Sequence, residues 1–320
     1  MASGRQLLQP VELVAETLRD RTDVFAVTGA TGWFGAVAMD LLYEVLGDEA
    51  EERVVGYASR ERNLLVADGR IVTVRPLSDL ITQQASPTTL LHFAFVPRDR
   101  AGVLGNDAYV SQNVSTTATV LDAIAQHKPQ HVVLASSGAV YSSTGRLQSD
   151  LAGNPYGTLK HLDELAFRAA TRDAGGCCVV PRVFNVGGPR LARPDVFALA
   201  SMVAMAEAGG PIDVSARGPV FRTYCGVDEV VALSLWAAVI GHEAVFDTCG
   251  AVVEMGDLAR IVAREHGLGP DPVRRTWDAD AVADRYVGDG QVMEELAARA
   301  GLRLRPLDAL VRASSRSPKE

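Results

Sequence analysis

The apolar run at 24–27, Val24-Phe25-Ala26-Val27, passes straight into Thr28-Gly29-Ala30-Thr31-Gly32-Trp33-Phe34-Gly35, and few folds accommodate that junction. Four apolar residues without polar alternation read as a strand buried on both faces, the pattern of a parallel sheet. The glycines at 29, 32 and 35 suit a tight turn, close backbone approach to a pyrophosphate, and close packing of a helix on the strand. Val37, Leu41, Leu42 and Val45 then fall on one face of a helix. Its free N–H groups and partial positive charge would face the turn. Alone, the glycine triplet is a weak signal; its place between a first strand and a helix makes it a phosphate loop.

The rest of the chain extends this alternation. Apolar runs at 54–58, 71–74, 90–94, 131–135 and 177–180 predict further strands, with helices over 114–126 and from about Gly157. Val11, Leu13, Val14 and Leu18 predict a lead-in helix within 1–22. After about residue 185, Pro189, Pro194, Gly209-Gly210-Pro211 and Gly218-Pro219 break the rhythm, and amphipathic helices are expected over 256–266 and 291–300. The expected architecture is an α/β doubly wound parallel sheet over 23–185. A smaller, helix-rich C-terminal lobe with some returning sheet elements should follow over 186–313, then a tail over 314–320.

Thirty-one basic residues against 39 acidic give a net charge of −8, which argues against nucleic-acid binding but does not bar a small anion held by a helix N-terminus or single arginines. The four cysteines include no C-x-x-C pair and the six histidines show no metal-ligand spacing, so no metal is expected. The longest apolar run, 230–240, is interrupted by Ser234 and falls short of the about 20 residues a membrane span needs. With no basic-then-apolar leader pattern, the expectation is a cytoplasmic protein.

Two further segments carry chemistry. In Tyr156-Gly157-Thr158-Leu159-Lys160 the Tyr and Lys lie one helical turn apart on one face. A nearby ammonium favours the phenolate and makes Tyr a usable acid/base near neutrality. Such a pair is also common on surfaces. Ala135-Ser136-Ser137-Gly138-Ala139-Val140-Tyr141 follows the fifth strand, where open α/β sheets bind ligands and a serine can polarise a substrate oxygen. By itself it reads equally well as a Ser-rich turn.

In this order and spacing the three motifs resemble the extended short-chain dehydrogenase/reductase family, in its epimerase/dehydratase branch that modifies nucleotide sugars. Leu91-His92-Phe93-Ala94, Asn113-Val114-Ser115-Thr116-Thr117, Arg182-Val183-Phe184-Asn185-Val186-Gly187-Gly188-Pro189 and the segment from Phe221-Arg222 to Asp228-Glu229 extend the resemblance over about 24–310. It implies a Rossmann-type fold with Ser137, Tyr156 and Lys160 as the catalytic set. Tyr156 would be the acid/base, Lys160 would lower its pKa and hold the nicotinamide ribose, and Ser137 would polarise the reacting oxygen. Gly29, Thr31, Gly32, Trp33, Phe34, Gly35, Ser59, Arg60, Leu77, Phe93, Ala94 and Asn113 would line the cofactor site, together with Tyr156 and Lys160. Ser137, Gly138, Ala139, Asn185 and Arg222 would face the substrate, the last two at its diphosphate. A homodimer through the helices near Asn113 and Gly157 is also implied.

The chain departs from the family pattern in three places. Ala58, then Ser59 and Arg60, stands where NAD-binding members carry a carboxylate for the ribose 2′-hydroxyl, which favours NADP over NAD. Pro76 replaces the usual Asp after the third strand. Gly138 and Ala139 stand where 4,6-dehydratases carry Asp-Glu, and neither exchanges a proton, which disfavours dehydration. What remains is hydride transfer at a ring carbon, C4. A 4-ketoreductase is placed slightly ahead of a 4-epimerase with retained NAD, with a reductase of a non-sugar ketone and a non-catalytic nucleotide sensor further behind.

Overall fold

The computed structural model describes residues 7–278 and 280–315. Its strands are β1 (Phe25–Thr28), β2 (Val54–Ala58), β3 (Arg62–Leu65), β4 (Ile71–Pro76), β5 (Thr89–His92), β6 (His131–Leu134), β7 (Ser136–Ser137), β8 (Cys177–Val183), β9 (Asn185–Gly187), β10 (Ile212–Asp213), β11 (Val220–Gly226), β12 (Ala244–Asp247), β13 (Ala251–Glu254), β14 (Val273–Arg274) and β15 (Asp284–Tyr286). Its helices are α1 (Pro10–Leu18), α2 (Trp33–Leu46), α3 (Ala50–Arg53), α4 (Ala101–Leu104), α5 (Asn106–His127), α6 (Pro155–Asp173), α7 (Ala198–Glu207), α8 (Val227–Val239), α9 (Met255–Glu265), α10 (Gln291–Ala300) and α11 (Leu307–Ser314). No helix among the described residues is long and apolar enough to cross a membrane.

The chain divides into two units. The first comprises Met1–Val183, Asp228–Phe246 and Glu295–Arg303; the second comprises Phe184–Val227, Asp247–Glu294 and Leu304–Glu320. The first is built on a sheet of order β12-β8-β6-β5-β1-β2-β4-β3, with β7 also paired to β8. The ladders joining β8, β6, β5, β1, β2 and β4 are parallel. β1, β5 and β6 are buried along their whole length, as their unbroken apolar runs require. Helices supply the covering face: Val120 and Ile124 of α5 and Phe167 of α6 pack with Ala26, Leu90, Val132 and Val180 in one core cluster. This is the doubly wound, Rossmann-type architecture expected of the sequence.

One element departs from expectation. The chain between β2 and β4, for which the sequence predicts no element, runs through β3, which pairs antiparallel with β4. Gly69, at φ +91°, sits in the turn of that hairpin, where Val66 N–H donates to the Arg70 carbonyl at 3.0 Å.

In the second unit β11 is central. β13 pairs antiparallel along one stretch, while β15 and β9 pair parallel with its first and last residues respectively. α7, α9 and α11 supply much of the remaining core, through Leu199, Val203, Leu258, Val262, Leu310 and Val311.

Candidate active site

The glycine loop has the geometry its sequence demands. Gly29 holds φ +68°, and a Cβ there would lie 2.7 Å from the Ala94 nitrogen and from the Phe93 carbonyl carbon. A Cβ at Gly35 would lie 2.1 Å from the Gly29 oxygen. Gly32 caps α2, and Trp33, Phe34 and Gly35 form its first turn. Thr31 is half-buried in the loop. Phe34 and Phe93 meet at 5.8 Å between ring centroids, so the glycine loop and the segment after β5 form one surface. A cradle that side chains would fill, at a helix N-terminus, fits a dinucleotide pyrophosphate.

The other cofactor positions fall at the ends of neighbouring elements. β2 ends at the buried Ala58, and Ser59 and Arg60 follow it exposed. Pro76 pairs with Ala58 across the sheet, and Leu77 packs on the core cluster. Asn113 is held at both ends of its amide by backbone groups. It is buried, its Oδ1 accepts from Val96 N–H at 2.8 Å, and its Nδ2 donates to the Tyr109 carbonyl at 3.1 Å. Its direct action is therefore on the loop after β5.

α6 delivers the proton-transfer group. Asn154 caps the helix by accepting from Gly157 N–H at 3.1 Å, and Pro155 occupies its first position, so Tyr156 lies in the first turn. A Cβ at Gly157 would lie 2.1 Å from the Ala139 carbonyl oxygen, so glycine lets that turn press against the segment after β7. Ser137 lies near enough to the Tyr156 hydroxyl to favour its phenolate, and its Oγ accepts from Ala139 N–H at 3.2 Å. Gly138 and Ala139 present only backbone and a methyl group beside this pair. Underneath, Glu164 accepts from Ser136 and from Arg182, whose guanidinium donates to the Tyr141 hydroxyl at 2.6 Å.

The electrostatics differ from what the resemblance implies. Burial pushes the Tyr156 phenol above its usual value, opposed first by the nearby Ser137 hydroxyl and then by the charge of Arg98. The Lys160 ammonium points elsewhere, donating to the Ala135 carbonyl at 2.8 Å, with its nitrogen 3.9 Å from the centroid of the Phe95 ring. Burial brings Lys160 down to about 8. Phe95 and Arg98, neither singled out in the sequence, therefore join the site. Phe95 meets Tyr156 edge-on at 5.6 Å. The signal for both was an aromatic and a cation just beyond the Leu91–Ala94 motif.

The second unit holds Asn185 and Arg222. Arg222 lies on β11, where β9 places Asn185 opposite Tyr224 and β15 places Tyr286 opposite Arg222, on one face by strand alternation. The Asn185 Nδ2 is buried without a partner, a donor awaiting an acceptor. Arg222 is not free: it donates 2.6 Å to an Asp284 carboxylate oxygen and lies 6.0 Å from the Tyr286 ring centroid. Phe184 and Tyr286 meet at 4.6 Å.

A glycine cradle at a helix N-terminus on a parallel sheet defines a dinucleotide-binding fold. The chain belongs to the NAD dependent epimerase/dehydratase family, whose sequence profile matches residues 25–245. It is 26% identical over 226 residues to a probable UDP-glucuronate 4-epimerase of Rhizobium meliloti, a match spanning 65% of each chain. In fold it resembles a UDP-N-acetylglucosamine 4-epimerase from Methanobrevibacter ruminantium, solved with UDP-N-acetylmuramic acid (TM-score 0.71, 16% identity, 91% and 96% of the two chains). It also resembles the Thermus thermophilus UDP-glucose 4-epimerase in complex with NAD (TM-score 0.66, 21% identity, 91% and 97%).

Proposed function

We propose that the protein is a nucleotide-sugar 4-epimerase that retains a nicotinamide dinucleotide. The observation that carries this is the single proton-transfer pair, Ser137 and Tyr156, flanked by Gly138 and Ala139. One acid/base suffices to take the proton from a ring hydroxyl and return it to the same oxygen once hydride has come back to the other face of the ketone, whereas water elimination needs a further acid and base. The relatives named as 4-epimerases favour epimerisation over the ketoreductase placed ahead of it from sequence.

With the pyrophosphate of the dinucleotide in the Gly29–Gly35 cradle, its nicotinamide would accept a hydride from the sugar carbon and give it back. Tyr156 takes and returns the hydroxyl proton; Ser137 orients the same oxygen; Lys160 holds the ribose; Asn185 and Arg222 grip the diphosphate, for which a guanidinium is suited by bidentate donation. Val114, Leu162 and Leu165, exposed on α5 and α6, give those helices an apolar face for a homodimer.

One specific feature supports the ketoreductase as a second reading: Ala58 and the exposed Arg60 favour NADP, which a reductase consumes. One assay separates the two. With UDP-hexoses or UDP-hexuronic acids, C4 epimers should accumulate at constant absorbance at 340 nm. Stoichiometric loss of NADPH against a 4-keto sugar nucleotide, without epimer formation, would establish the reductase instead. Ala58→Asp should shift cofactor preference toward NAD; an unchanged ratio removes the role given to that position.

A further inference from the structure

Lys160 is 6% exposed, and among the described residues no carboxylate forms an ion pair with it. The acids nearest in sequence make their hydrogen bonds to other groups, and the Asp163 Oδ2 is buried without a partner. Asp163 accepts from Thr117 of α5 at 2.8 Å, and Glu164 is held by Arg182 of β8 and by Ser136. They act on Lys160 only through space, favouring its charge against burial. From β5 the facing group is His92, which burial and the Lys160 charge push down to about 3, so it is neutral. Tyr156 shares the helix with Lys160, and Arg98 brings a second positive charge toward Tyr156. The two contacts the ammonium makes are the Ala135 carbonyl and the Phe95 ring.

A charge removed from water needs a compensating group. An aromatic face supplies one electrostatically, without a proton to exchange and without a formal charge. The Phe95 ring is itself fixed, edge-on to Tyr156 at 5.6 Å and to Tyr109 at 6.5 Å. We propose that Phe95 is a positioning residue whose ring face keeps the Lys160 ammonium charged and fixed one helical turn from Tyr156. The proposal rests on Lys160 being a working group of the site. It assigns Phe95 something that an aliphatic side chain of similar size cannot supply.

The margin is narrow, because burial already brings Lys160 to about 8. A desolvated cation–π contact shifts such an equilibrium by about tenfold, or about one pH unit.

The chain has three lysines, Lys128, Lys160 and Lys319, so full-length protein labelled with ¹³C-lysine gives three ε-carbon signals, and Lys160→Met identifies the relevant one. Titrated without ligand, Phe95→Leu should lower the Lys160 midpoint by about one pH unit, and Phe95→Trp should preserve it. The alkaline limb of kcat should move with the midpoint. An unchanged midpoint in Phe95→Leu overturns the proposal. A lowered midpoint with an unmoved kcat profile leaves the contact standing and removes Lys160 from the reaction, so the two failures are distinct. Should Phe95→Leu not fold, stepwise fluorination of the Phe95 ring weakens its face at nearly constant shape. The midpoint should then fall with each fluorine, and a flat response overturns the proposal.

Discussion

In the first unit the cation of the site, Lys160, is buried against a carbonyl and an aromatic ring; in the second, the Arg222 side chain, 20% exposed, pairs with an Asp284 side chain that is 61% exposed. Burial without a counter-ion perturbs proton affinity and fixes direction, which suits a group acting during a reaction. A partly solvated pair is screened by water and salt. It gives the guanidinium a weak partner that an incoming phosphate can displace, which suits binding and release. On the proposed reading, the first unit would carry the residues of reaction and the second those that grip the diphosphate.

The sharpest way to break this contrast is Tyr156→Phe. Turnover should fall about a thousandfold, while cofactor affinity, measured by fluorescence titration, stays within twofold. Near-normal turnover would remove the first unit's claim to the chemistry.

Next in size is the strain of burying Lys160. Its folded value of about 8 lies below the 10.5 of an exposed lysine, so between those values the unfolded chain binds more protons and stability rises with pH. The penalty is therefore full below about pH 8 and gone above 10.5. Lys160→Met should raise the unfolding free energy at pH 7 by up to about 3 kcal/mol while abolishing activity. In urea melts the gain should shrink as pH climbs through that window. A gain independent of pH would assign it to packing.

The smallest effects belong to the grip. Arg222→Ala should raise KM at least tenfold with kcat little changed, as loss of a charged hydrogen bond to phosphate would. Asp284→Asn should lower KM a few-fold by removing the competitor for that guanidinium, on the scale of an exposed ion pair. A rise in KM for Asp284→Asn would mean that Asp284 positions Arg222 instead of competing for it.

Much of the first unit was legible because its signals are local. β1, β2, β5, β6 and β8 announce themselves as apolar runs, and the glycine loop as spacing. The β3–β4 hairpin was missed although Asp68-Gly69 marks a turn, because Arg62–Leu65 has only two apolar residues and no alternation to announce a strand. Phe95 and Arg98 escaped notice because their role arises from which side chains they meet, not from their spacing. Asn113 was read as a ligand-facing amide, yet tertiary packing turns both its ends to the backbone. The second unit was least legible. Its strands are short, and β11 takes partners from residues 185–187, 251–254 and 284–286, pairings that no local periodicity encodes.

The return of the chain to the first sheet bears on how the protein is made. β12, contributed by residues 244–247, covers the outer edge of β8. During synthesis β8 is complete about 60 residues before its neighbour exists, a delay of several seconds at ribosomal rates. Throughout that interval a buried strand, rich in valine and cysteine, presents unpaired N–H and C=O groups. Chaperone demand in the nascent chain should therefore peak between the emergence of β8 and that of β12, and chains arrested in that interval should be the ones that aggregate.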